Sequence, residues 1–149
     1  MKPRMVVAFV CYLLLIPWSL AFGLMYLLRP EFMPYHAAAI GISWAQLRPE
    51  FRALFLALLR VCGGGWLAGA ASLSVLIFIP FRRSQPWSRW AIPLVGLCSA
   101  VPTLYATLML KARTGAATPW FAPAATILLL VIGFLLSFPW KKATPSNQT

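Results

Sequence analysis

The segment "RPEFMPYHAAAIG", residues 29–41, carries one of the chain's two acidic residues, Glu31, and its single histidine, His36, next to Tyr35. Downstream, Arg60 sits inside a strongly apolar run. A carboxylate, a phenol, an imidazole and a guanidinium together make a polar pocket. Such a pocket holds an anionic headgroup, a quinone carbonyl or a partner's carboxylate. An ionisable side chain within an apolar span marks a functional site by default, because leaving it unpaired there is expensive. Two arrangements are open. In one, Arg60 turns inward and pairs with Glu31, with His36 beside the pair. In the other, Arg60 snorkels outward along its methylene stem, Glu31 is a solvated residue offsetting Arg29, and the segment is a loop.

Little else in the chain offers chemistry. Aspartate is absent, and no serine lies in a GxSxG turn, so neither paired carboxylates nor an activated nucleophile is in view. The stretch "VCGGGW" shares its glycines with phosphate loops but lacks the lysine that would reach a phosphate. No catalytic residue is assigned. Cys11, Cys62 and Cys98 are odd in number, show no CxxC spacing and lie in apolar stretches, which reads as buried free thiols. One histidine and two carboxylates supply no ligand set for structural zinc, and neither metal nor cofactor is expected.

The elements that must position these residues follow from hydropathy. Of 149 residues, 61% are hydrophobic, and the mean hydropathy is +0.80. A water-soluble core of this size cannot hide so many apolar side chains. About 20 apolar residues make one helical crossing of a bilayer, and four stretches qualify, at about 5–28, 54–79, 90–110 and 120–140. The reading is all-α: one domain over residues 1–149, an integral membrane bundle of four transmembrane helices with a disordered tail at 144–149. The first stretch starts like a secretion signal. Its apolar run nevertheless continues through residues 22–28, longer than a signal core, so retention is expected.

The net charge of +11 is patterned along the chain. Lys2, Arg4, Arg82, Arg83, Arg89, Lys141 and Lys142 fall on one side of a four-span chain, against Arg29, Arg48, Arg52, Lys111 and Arg113 on the other. Glu31 and Glu50 offset the second group. The positive-inside rule then places both termini in the cytoplasm, in a bacterial inner membrane. Attraction to anionic membrane lipids accounts for the basic balance, and nucleic acid is not an expected partner.

Pro17 and Pro102 each remove a backbone hydrogen bond inside a span and predict kinks. Residues 29–49 hold Pro30, Pro34 and Pro49 and are too mixed for a fifth span; short helical turns are expected at 37–40 and 44–47. Pro49 and Glu50 suit the first turn of the second long helix. On that helix Ala53, Ala57, Arg60, Gly64, Ala68, Ala71 and Ser72 share one face, which is expected to pack inside the bundle around Gly64 and Ala68, with Leu73 on the other side. Gly65 and Gly69 form a GxxxG on a different face, free for a second contact. The short link before Trp120 makes the third and fourth helices an antiparallel hairpin.

About 150 residues, four spans, a second helix reading "LLRVCGGGWLAGA" and the basic loop "PFRRSQPWSRW" after it resemble the small DoxX-like membrane proteins of bacteria. The resemblance implies a four-helix fold and an accessory role in a membrane complex, and it assigns no site residue. The expected function is that of a non-enzymatic accessory or interaction subunit bound to another membrane protein or to itself. The alternative is a lipid- or quinone-binding protein that uses the polar pocket.

Overall fold

The computed structural model describes residues 3–138, and these are helical with no strand. Lys2, residues 139–140 of the fourth apolar stretch, Lys141, Lys142 and the tail at 144–149 lie outside the described residues. Six α-helices follow in order: α1 (Pro3–Leu13), α2 (Leu15–Leu28), α3 (Pro34–Ile40), α4 (Pro49–Leu76), α5 (Ser88–Thr114) and α6 (Phe121–Ser137). A 3₁₀ turn (Trp44–Gln46) precedes α4, and a π turn (Ile77–Phe81) extends it. Pro80 causes that extension. Without an amide hydrogen it cannot close the regular ladder, so the helix widens for a turn instead of ending at Ile79.

Three helical stretches are long and apolar enough to cross a membrane: Pro3–Leu28 with 26 residues, Pro49–Phe81 with 33 and Ser88–Thr114 with 27. The first is interrupted at Leu14, three residues before Pro17. The break has a packing consequence. α1 lies against α6, whereas α2 lies against α4, and α5 joins α4 to α6.

Burial runs opposite to that of a water-soluble protein. Large side chains point outward: Leu28 is 73% exposed, Val61 74% and Leu94 66%. Small residues make the contacts. A Cβ on Gly63 would stand 2.8 Å from the carbonyl oxygen of Gly23 and from the amide of Leu27, so α2 and α4 touch backbone to backbone. Gly96 takes Leu130 of α6 in the same way, and Gly133 takes the ring of Tyr12. Where lipid replaces water, close backbone approach and van der Waals contact drive helix association, and small residues permit both. The larger buried side chains form one cluster around Tyr12, Leu15, Ile77, Phe81, Ile92 and Leu130. A second cluster holds Phe32, Leu47 and Leu59 at the opposite end, where α3 sits.

The packing face of α4 differs from the expected one. Leu59, Gly63, Ala70 and Leu73 are buried, while Ala53, Ala57, Arg60, Gly64, Ala68, Ala71 and Ser72 are exposed. A Cβ on Gly64, Gly65 or Gly69 would meet nothing within 4 Å. The contact residue is Gly63, one position and about 100° away from Gly64. With three glycines in succession at 63–65, any of three rotations offers a small residue to α2. The rotation adopted also buries Leu59 and Leu73, which an exposed-leucine alternative would forgo. The cysteines depart likewise: all three are free, but Cys62 and Cys98 are exposed and only Cys11 is partly buried. A thiol behaves as a small apolar group, so a lipid-facing position costs it little.

Gly63→Leu is expected to lower the unfolding temperature in detergent, with an overpacking cost of about 1–3 kcal/mol. Gly64→Leu should leave that temperature nearly unchanged. Equal losses at the two positions would mean that α4 is rotated differently.

Candidate functional site

Residues 29–48 fold back over the end of α4. Phe32 anchors them, packing edge-on against Trp44 at 5.0 Å and Phe55 at 5.7 Å between ring centroids. Pro34 starts α3, where its missing amide hydrogen is no loss, and Gly41 ends it in the left-handed conformation at φ 73°. The amide of Met33 would otherwise be an orphan at the helix start. It donates to Nδ1 of His36 at 3.2 Å. Since Nδ1 accepts, the neutral ring carries its hydrogen on Nε2, which is left as a donor. Burial pushes the His36 pKa below its ordinary value, so the ring is neutral at pH 7.

Tyr35 reaches across to α2, and its hydroxyl lies 3.0 Å from that of Tyr26. One phenol donates to the other, which leaves one hydroxyl hydrogen for a third group. Burial first, and the Tyr26 hydrogen bond second, hold the Tyr35 pKa well above the usual phenol range, so Tyr35 stays protonated. The Tyr35 and His36 rings are in contact, with centroids 4.2 Å apart.

Beneath this pair lies a cleft of about 400 Å³ between α2, α3, α4 and α5. Its walls are aromatic and apolar, from Tyr26, Phe55, Leu59, Trp66 and Pro102, with Cys62 among them. Thr103 and Thr107 line the α5 side. Their hydroxyls donate to the carbonyls of Ser99 at 2.7 Å and Thr103 at 2.9 Å, which leaves only lone pairs for a ligand. A separate small cavity of about 20 Å³ shares Tyr26, Trp66, Thr103 and Thr107 with the cleft and is also lined by Trp18, Phe22 and Pro119. The cleft's volume suits a small amphiphile, and the Tyr35 and His36 donors stand on its α3 side. Chemically, the arrangement can offer hydrogen-bond donors from Tyr35 and His36 to an oxygen-bearing group and apolar walls to the rest of a molecule.

Tyr35 and His36 are therefore brought together as expected, but Glu31 and Arg60 do not join them. Both are exposed. The single ion pair among the described residues joins Arg48 to Glu50 at 3.3 Å. Arg60 lies on the outward face of α4 because Gly63, and not Gly64, faces α2. Among the described residues, no group of three or more His, Cys, Asp or Glu could hold a metal ion. Sequence reasoning misses Tyr26, Trp66, Thr103 and Thr107. The spacing of Leu59, Cys62 and Trp66 along one helix face, and of Thr103 and Thr107 beside Pro102, is the signal that could have found them. Comparison with protein-family models, with curated proteins and with solved structures finds no match for this chain.

The His36 environment sets a pH dependence. An unfolded chain binds the imidazole proton near pH 6.5, whereas the folded one binds it only at lower pH, so between the two the unfolded state holds more protons. The stabilisation is complete above the unfolded value and is lost as pH falls below it. Unfolding temperature in detergent should therefore drop between about pH 7.5 and about pH 5.5. His36→Gln, which cannot titrate, should flatten that drop. An unchanged profile in the variant would remove His36 as its source.

Proposed function

We propose that the chain is a four-crossing protein of the bacterial inner membrane, with both ends cytoplasmic, that holds a lipid- or quinone-like amphiphile in the cleft without catalysing a reaction on it. The observation that carries this reading is the convergence of the Tyr26–Tyr35 pair and neutral His36 on a cavity otherwise walled by apolar and aromatic side chains. Donors at one end of an apolar cleft fix the orientation of an amphiphile. Three long apolar helices support the membrane setting. The 17 residues of α6 rise to roughly 26 Å, close to the thickness of the hydrocarbon. The charge pattern supports the orientation: Arg82, Arg83 and Arg89 lie at the end opposite α3.

A second reading, an accessory subunit that docks on another membrane protein or on a second copy, is favoured by the outward small-residue face of α4. The resemblance of the chain's layout to the DoxX-like proteins points the same way. Mild-detergent purification followed by native mass spectrometry separates the two. The cleft reading expects a retained lipid or quinone mass that is lost in Trp66→Ala. A protein partner at fixed stoichiometry, with no small ligand, would replace it with the subunit reading.

Topology has its own check. Reporter fusions after Leu28, Arg83 and Arg113 should read outside, inside and outside. An outside reading at Arg83 would overturn the four-crossing orientation.

A further inference from the structure

Next to the cleft lies a second cavity of about 590 Å³, open to the surface and lined by Pro34, Tyr35, Lys111, Thr118, Trp120 and Phe121. Tyr35 stands in the walls of both cavities. The two are also joined along α5, where Thr103, Thr107 and Lys111 follow at four-residue steps on one face, each about 6 Å further along. The track starts among lone pairs inside the cleft and ends on a cation outside it. The outer wall is fixed, because Thr118 donates its hydroxyl to the Thr107 carbonyl at 2.9 Å.

Lys111 holds its ammonium 5.3 Å from the Trp120 ring centroid. No carboxylate of the described residues neutralises it: Glu50 pairs with Arg48, and Glu31 forms no ion pair. A zwitterionic head would bring a cation to a cavity that offers no anion. A neutral head would leave the ammonium unused. A single negative charge meets Lys111 while its apolar part enters the cleft beneath Tyr35.

Resting on the cleft reading above, we propose that the ligand is an amphiphile with one negatively charged head, a carboxylate or a phosphate, seated at Lys111. Its apolar chain runs past Tyr35 into the cleft. A free fatty acid and an anionic phospholipid share this chemistry.

The test uses the purified full chain in a neutral detergent and native mass spectrometry with three probes: oleate, dioleoyl phosphatidylglycerol and uncharged monoolein. At least one anionic probe should bind about tenfold more tightly than monoolein, as expected for a charge-assisted contact. Oleate alone identifies a free carboxylate, phosphatidylglycerol alone a phospholipid, and both the shared head. Lys111→Gln should bring the anionic probe down to the monoolein level. Lys111→Arg should retain the preference, and Arg113→Gln, a cation outside both cavities, should not alter it. Lys111 is exposed, so its loss should not disturb folding, and an unchanged unfolding temperature checks this. Monoolein binding as tightly as the anions, or Arg113→Gln costing as much as Lys111→Gln, overturns the charged head and leaves the cleft reading standing. No adduct with any probe overturns the charged head, and the cleft reading then stands or falls on a retained native mass that Trp66→Ala abolishes.

Discussion

At Gly23 and Gly63 two helices approach until only hydrogen atoms separate the backbones; a Cβ on Gly63 would lie 2.8 Å from the Gly23 carbonyl oxygen. That closeness sets the spacing of everything nearby. Tyr26 is three residues beyond Gly23, and Trp66 three beyond Gly63. Each therefore projects from beside the contact, and together they form part of the cleft wall. Tyr26 is in turn held where the hydroxyl of Tyr35 can reach it. The small helix α3, which buries none of its own residues fully, owes its place to that reach and to the Phe32 cluster.

Several hydroxyls inside the helices are satisfied close to home. Ser74 donates to the carbonyl of Ala70, Thr126 to that of Ala122 and Ser99 to that of Gly96. In a medium without water, a hydroxyl that bonds back to its own helix leaves no unpaired donor. Such residues look polar in the sequence yet present mainly methyl and methylene groups to their neighbours. Tyr35 and His36 are different, because their bonds cross from one segment to another or cap a helix end. They act as fasteners of the segment to the helices beside it.

Local signals are legible in the amino-acid order itself. Pro17 marks the interruption near Leu14 and Pro49 the start of α4, whereas α5 runs unbroken through Pro102; the turns expected at 37–40 and 44–47 fall inside α3 and over the 3₁₀ turn. That Tyr35 and His36 stand together on one cleft is legible, because a polar pair between apolar runs stands out. The rotation of α4 is not legible: in "CGGGW" three neighbouring positions are equally small, and only the packing of Leu59 and Leu73 distinguishes them. The same ambiguity misplaces Arg60. Pairing Glu31 on the scarcity of anions fails because charges at the edge of a membrane need no protein partner when water is within reach. Tyr26 and Trp66 escape notice for another reason. Aromatic residues within an apolar span carry no polarity contrast, and which helices adjoin is a tertiary fact.

The interrupted first helix has a consequence for the order of assembly. Its first half packs on α6, through Tyr12 against Gly133, while its second half packs on α4. A ribosome delivers α4 soon after α2, so that pair can form while synthesis continues. α1 must wait for α6, more than a hundred residues later. The break at Leu14 lets the two halves keep these separate appointments: α2 can dock early without dragging α1 into a premature contact. The ring of Tyr12 entering the notch at Gly133 ties the first of the described helices to the last of them.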